Sequence, residues 1–139
     1  MKLREYNERD LNRHLELFLM NNIKVDEKVK RLEKSWLRKV IANYHEDKPL
    51  FYTLAIIVND KLIGNLIAEK IDLNQKTLEI GFWIGKEYWN KGYITKALKL
   101  FLEKIIKKFK VKTILAHCKN NNLASQRVLE KVGFSFKSE

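Results

Sequence analysis

The groups best suited to chemistry in this chain gather in its second half. The run Leu78-Glu79-Ile80-Gly81-Phe82-Trp83-Ile84 has the composition of a strand, Gly85 to Gly92 reads as a loop, and an amphipathic helix follows. The first amides of a helix lack internal partners and carry positive partial charge, so the junction is a ready site for an anion. Gly92 lets backbone approach a phosphate closely, and Lys91 adds charge beside it. A lone glycine ahead of a helix also serves as a plain lead-in turn. The stretch is not a P-loop, because no Gly-Lys-Ser/Thr ends it, nor a dinucleotide fingerprint, because only Gly92 lies in the turn.

Three other places hold candidate groups. On a strand Glu79, Gly81 and Trp83 share one face, while Leu78, Ile80, Phe82 and Ile84 share the other. Glu79 is either a base beside a cleft or a solvated surface carboxylate. Asn122 and Ser125 stand at the start of a helix, where capping accounts for both without excluding a second role. His117-Cys118 sets an imidazole next to a thiol, but adjacent strand residues point to opposite faces and cannot share a proton. Cys118 therefore reads as a buried small hydrophobe. No His, Cys or carboxylate cluster has metal-ligand spacing, and Trp36 and Trp83 read as core or cleft wall rather than base-stacking platforms.

The elements that must position these residues follow from periodicity. Lys2 to Tyr6 reads as a short strand, Glu8 to Met20 as a helix with Leu11, Leu15, Phe18 and Leu19 inward, and a second helix carries Val25, Val29, Leu32, Trp36, Val40 and Tyr44. After Pro49, Phe51 to Val58 and Lys61 to Ile71 form a hairpin across Asn59-Asp60, and Leu78 to Ile84 is the next strand. The helix after Gly92 turns inward Ile94, Ala97, Leu98, Phe101, Leu102, Ile105, Ile106 and Phe109. Val111 to Cys118 is a strand, and Leu123 to Val132 is a helix stopped by Gly133. The order is β-α-α-β-β-β-α-β-α, and the unit from Leu78 to Cys118 should be a right-handed parallel crossover.

At 139 residues the chain fits one domain, and its 45% hydrophobic content suits an ordinary core. The charged fraction of 32% is interleaved with apolar residues, which argues against disorder. A single cysteine excludes an internal disulfide and fits a reducing compartment. The first residues carry no signal-type apolar run and no stretch nears the roughly 20 apolar residues of a membrane span, so a soluble, cytoplasmic protein is expected. The net charge of +11 suits a polyanionic partner, RNA included, but the lysines spread along every predicted helix, as on a solvated surface.

Three motifs then converge. Trp89-Asn90-Lys91-Gly92-Tyr93-Ile94-Thr95-Lys96-Ala97-Leu98 resembles the cofactor loop of the GNAT superfamily of N-acetyltransferases. Asn122-Leu123-Ala124-Ser125, followed by Leu129-Glu130-Lys131-Val132-Gly133-Phe134, resembles the branch holding the ribosomal-protein N-terminal and spermidine acetyltransferases. Glu79-Ile80-Gly81-Phe82-Trp83 resembles that branch's Glu-Ile-Gly-Tyr-Trp strand. The resemblance covers about Lys2 to Phe136. Departures are Trp89 in place of Gln or Arg, Ile94 in place of Gly or Ala, where it should narrow the amide cradle, and Lys96 in place of a common Glu, which should point outward.

The resemblance implies an α/β fold: a mixed, mainly antiparallel twisted sheet with helices on both faces. It implies acetyl-CoA as acetyl donor, with no metal, held where strands Leu78 to Ile84 and Val111 to Cys118 splay apart. Amides near Phe82, Trp83 and Ile84 would pair with the pantetheine and polarise the thioester. Amides of Asn90, Lys91, Gly92, Tyr93, Ile94 and Thr95, in the loop opened by Trp89, would hold the pyrophosphate. Asn122 would bond the pantetheine arm, Ser125 would protonate the departing thiolate, and Glu79 would be the base that deprotonates the amine. The acceptor would be a protein N-terminus, a polyamine or a small amine. Rival readings are an aminoacyl-tRNA acetyltransferase and a non-catalytic nucleic-acid or scaffolding module on the same fold. The family's last strand is missing: Phe134-Ser135-Phe136 would begin it and Lys137-Ser138-Glu139 would stop it. A truncated chain, or a homodimer covering the open edge, is expected on that ground.

Overall fold

The computed structural model describes residues 1–136, so Lys137, Ser138 and Glu139 lie outside the described residues. Its elements are β1 (Lys2–Glu5), α1 (Leu11–Met20), α2 (Glu27–Asn43), β2 (Phe51–Val58), β3 (Lys61–Asp72), β4 (Thr77–Ile84), α3 (Tyr93–Phe109), β5 (Thr113–Ala116) and α4 (Leu123–Lys131). A 3-10 turn at Glu8–Asp10 leads into α1 and another at Lys86–Tyr88 precedes α3. The expected order is therefore present. The sheet runs β1-β2-β3-β4-β5, with antiparallel neighbours as far as β4 and a parallel β4–β5 pair, as the crossover required.

Local chemistry sets the boundaries. Asn7 and Asp10 form a reciprocal capping box on the turn before α1, and Asp10 also takes two hydrogen bonds from Arg4, both 2.9 Å. Burial, the largest single effect, would raise the Asp10 carboxyl; the Arg4 guanidinium and the Asn7 amide together outweigh it and hold the group below its ordinary value. The side chain of Asp26 accepts from the Val29 amide at 2.9 Å and starts α2. Asn59 and Asp60 take left-handed conformations (φ 50° and 63°) and turn β2 into β3.

Helices cover both faces of the sheet. On one, Leu54, Ile56, Ile63, Leu66, Leu78 and Ile80 pack against Ala97, Leu98, Phe101 and Ile105 of α3 and Leu129 of α4. On the other, Ala55, Ile57 and Leu62 meet Leu17 of α1 and Leu37 and Val40 of α2. Burying each such side chain contributes about 1.5–3 kcal/mol. Some expected inward positions face water instead: Ile106, Leu19 and Leu32 are exposed. Each lies at the margin of its helix's apolar stripe, and the sheet covers only the middle.

Two strand expectations are corrected. The strand over Val111 to Cys118 shortens to Thr113–Ala116. Val111 is drawn into the core, the Lys112 amide donates to Lys76 O at 2.7 Å, and Cys118 lies past the strand end, half-buried rather than buried. Phe134-Ser135-Phe136 does not begin a strand. Gly133, at φ 105°, turns the chain back over α4, so that the Phe134 amide donates to Leu129 O at 2.9 Å. Phe134 packs against the core and Phe136 stays in water. Among the described residues β5 is thus an edge strand, and no helix is long and apolar enough to cross a membrane.

Gly64 fixes how β3 meets the end of β4. A Cβ there would stand 2.2 Å from Trp83 O and 2.8 Å from Ile84 Cα, both backbone atoms that cannot swing aside. Gly64→Ala should therefore destabilise the chain by about 1–3 kcal/mol in denaturant titration. A change within the ordinary scatter of surface substitutions would contradict this close approach.

Candidate active site

The site begins where a strand pair ends. β4 and β5 pair from Thr77↔Thr113 to Ile80↔Ala116 and no further, whereas β4 stays in register with β3 as far as Gly64↔Ile84. From Gly81 to Ile84, then, β4 has a strand on one side alone, and the groups facing away from β3 have no backbone partner among the described residues. The pairing stops because β5 ends at Ala116, short of the Cys118 expected. The side chains of Phe82 and Ile84 pack toward α3, while Trp83 lies on the other face against Phe18, with ring centroids 5.4 Å apart. Trp83 packs against the core on that face, and it borders His14, which stacks on Trp36 and meets Glu33 at 2.8 Å.

The loop beyond β4 is clamped by α1. Asn21, just past the helix end, donates through Nδ2 to Ile84 O at 3.1 Å and accepts the Lys86 amide at 2.6 Å. The indole N–H of Trp89 donates to the same Ile84 carbonyl at 3.1 Å, and Arg13 donates to the Tyr88 hydroxyl at 3.0 Å. Trp89 therefore holds the loop closed on itself through its N–H, with half of its surface still open. Sequence reasoning gave no sign of Asn21 or Arg13, since both sit over 60 residues away from the loop they brace.

At the loop's end Asn90 (φ 60°) and Gly92 (φ 78°) are left-handed, and α3 starts with no side chain capping it. The earliest helical bond is from the Lys96 amide to Gly92 O, so the amides of Tyr93, Ile94 and Thr95 have no intrahelical acceptor. A Cβ on Gly92 would meet nothing within 4 Å. Lys91 is exposed beside it, Lys96 points outward as expected, and Ile94, expected to narrow the cradle, packs partly against the α3 core. An open, uncapped helix start next to a cation fits a phosphate group.

Asn122 caps α4, accepting the Ser125 amide at 3.1 Å, and Ser125 is half-buried. Capping is thus an observed role of Asn122.

Glu79 lies opposite Leu115, one position before the parting. Its Oε1 meets His117 Nε2 at 2.7 Å and its Oε2 meets Lys70 Nζ at 3.0 Å. The hydrogen bond from Lys70, then that from His117, holds the carboxyl below its ordinary range against a smaller effect of burial. Neither partner was expected. Glu69 pairs with Glu79, so simple alternation sends Lys70 to the opposite face. A register shift after Glu69, with Lys70 at φ 50°, turns it back. His117 reaches Glu79 while Cys118 packs against the α3 core, so the two do part to opposite sides. A shallow hollow bordered by Asp47, Leu73, Lys76 and Lys110 lies at the other end of β4 and contains none of these residues.

The chain matches the family described as Acetyltransferase (GNAT) domain over residues 1–135. It belongs to that family. It is 36% identical over 74 residues to the uncharacterized N-acetyltransferase YnaD of Bacillus subtilis (strain 168), covering 53% of this chain and 43% of that one. It is 28% identical over 79 residues to the ribosomal-protein-serine acetyltransferase of Escherichia coli (strain K12), covering 57% and 44%. The chain thus spans under half the length of these two curated relatives. In fold it superposes on the microcin C7 self-immunity acetyltransferase MccE, solved in complex with acetyl-CoA and AMP, with TM-score 0.84 and 19% identity over 98% of this chain and 79% of that one.

Because Lys70 is the largest influence holding the Glu79 carboxyl down, Lys70→Met should move its titration upward. Carbon-13 NMR of the Glu79 carboxyl reads this directly; an unmoved midpoint would mean that the ion pair does not form in solution.

Proposed function

We propose that this chain is an acetyl-CoA-dependent N-acetyltransferase acting on a primary amine. One observation carries the reading: the unpaired edge of β4 from Gly81 to Ile84 leads, through a clamped loop, to the uncapped start of α3. That is a track for an extended ligand with amide groups along its length and phosphates at one end. Membership in the acetyltransferase family supports it, as does the acetyl-CoA in the complex of the similar fold.

In this reading the amides of Asn90 to Thr95, with Lys91, hold the pyrophosphate, and Trp89 keeps their loop in shape. Backbone groups near Phe82 to Ile84 that face away from β3 pair with the pantetheine amides; the Trp83 carbonyl faces Gly64 and the Ile84 carbonyl already accepts from Asn21 and Trp89, so neither takes part. Asn122 bonds the same arm beyond its cap. Bound there, acetyl-CoA would supply an activated acetyl group, whose carbon forms a C–N bond to the amine as its C–S bond breaks, giving an amide, a thiol and one released proton. Ser125 relays a proton to the sulfur. Glu79 supplies the negative charge that removing a proton from an ammonium requires.

The acceptor class follows from charge. A surface of net charge +11 repels a polyamine and tolerates a polyanionic setting such as the ribosome. A protein N-terminus is therefore the favoured acceptor, in the cytoplasm, in keeping with the ribosomal-protein activity named for the Escherichia coli relative.

Gly92→Glu would set a side chain and a negative charge against the pyrophosphate, and should weaken acetyl-CoA binding by more than tenfold in calorimetry. Equal affinity would show that the site is elsewhere. Glu79→Gln should leave that affinity intact and lower turnover by about 10²- to 10⁴-fold in a thiol-release assay over an amine and peptide panel. Parent-like turnover would remove Glu79 from the chemistry.

A further inference from the structure

We propose that His117 is the group that takes the proton from the acceptor amine, and that Glu79 acts through it as a positioning residue. This rests on the acetyltransferase reading and assigns a step within it.

Position comes first. Ile80↔Ala116 is the last pair between β4 and β5, so His117 is the first residue past the parting, where the gap opens. Had the pairing continued, it would stand opposite Gly81, which has no side chain to cover the imidazole. Leu78, Ile80 and Cys118 serve the α3 core, whereas His117 turns to the face of Glu79. Its side chain is 75% exposed, within reach of an incoming amine.

The hydrogen bonding then divides the roles. Both oxygens of Glu79 are taken, one by His117 and one by Lys70, and the two partners favour its ionised form. A carboxylate held in that form is a poor proton acceptor. It is a good anchor for a ring that must gain a charge. An ionised carboxylate only accepts hydrogen bonds, so the imidazole nitrogen facing it, Nε2, carries the hydrogen. Nδ1 is left with its lone pair, and no partner meets it among the described residues. An imidazole with one free ring nitrogen has a lone pair to accept a proton with, which a carboxylate already bonded at both oxygens offers less readily. The charged groups around the ring are Glu79 on β4 and Lys70 on β3, with Glu69 acting on Lys70.

The step is a single proton transfer. An N–H bond of the ammonium breaks, its electron pair stays on nitrogen as the attacking lone pair, and the proton moves to His117 Nδ1. The imidazolium, paired through Nε2–H with Glu79, then gives that proton to water.

Two measurements test this. Nitrogen-15 shifts of the His117 ring in the ligand-free protein should report the Nε2–H tautomer; Nδ1–H would overturn the assignment. In kinetics, His117→Gln should lower kcat at neutral pH by about 10²- to 10⁴-fold, abolish the acid-side limb of the pH–rate profile, and leave acetyl-CoA affinity unchanged. The double variant with Glu79→Gln should be no slower than the slower single one, because the two residues act as a unit. A fully active His117→Gln beside a crippled Glu79→Gln would make Glu79 itself the base, and losses that multiply would give the two separate roles. Either result overturns this proposal and spares the acetyltransferase reading. A parent chain that binds no acetyl-CoA overturns both.

Discussion

A parallel strand pair that stops after four residues leaves half the backbone groups of Gly81–Ile84 without a strand to bond, and most of the site follows from that. Backbone amides and carbonyls need partners, supplied by protein, water or ligand. In an open sheet the groups past the last pair face solvent, where a ligand with its own amides can replace water. The same parting sets His117 beside Glu79 without packing either into the core. Longer pairing, over the expected Val111 to Cys118, would close the gap and pull His117 into the ladder.

The rest of the fold keeps the parting in place. Gly64 lets β3 lie against Trp83 and Ile84 at a separation that admits no side chain, so β3 backs β4 closely where β5 no longer pairs with it. Asn21 and Trp89 both bond the Ile84 carbonyl, and Arg13 reaches Tyr88, so that α1 fixes the loop on which α3 begins. Arg4 and Asp10 hold the lead-in to α1. The open backbone at Gly92 is thus braced by contacts from α1 through the loop.

Elements with a strong local pattern were legible in the sequence. β2 lies at Phe51–Val58 as expected, bounded by the left-handed Asn59-Asp60 turn, and the inward face of α3 is correct at Ala97, Leu98, Phe101, Ile105 and Phe109. What depended on register was not legible. The length of β5 is decided by Val111 entering the core and by Lys112 bonding Lys76, neither of which a β-prone run reveals. Lys70 was hidden by a bulge that reverses alternation, and His117 by a parallel pairing whose register no local pattern encodes. Of the candidate residues, the Gly92 turn and the Asn122 cap could be read from residue type alone. Glu79 could be placed on its strand face, but its partners Lys70 and His117 could not.

In the proposed function the donor lies along the edge of β4 and ends at the start of α3. Mapping backbone amide shifts as acetyl-CoA is added tests it most directly. The largest changes should fall in Gly81 to Ile84 and Asn90 to Thr95, with smaller ones at Asn122 and Ser125. Changes centred on the hollow near Lys76 and Lys110, or none at saturating acetyl-CoA, would contradict it.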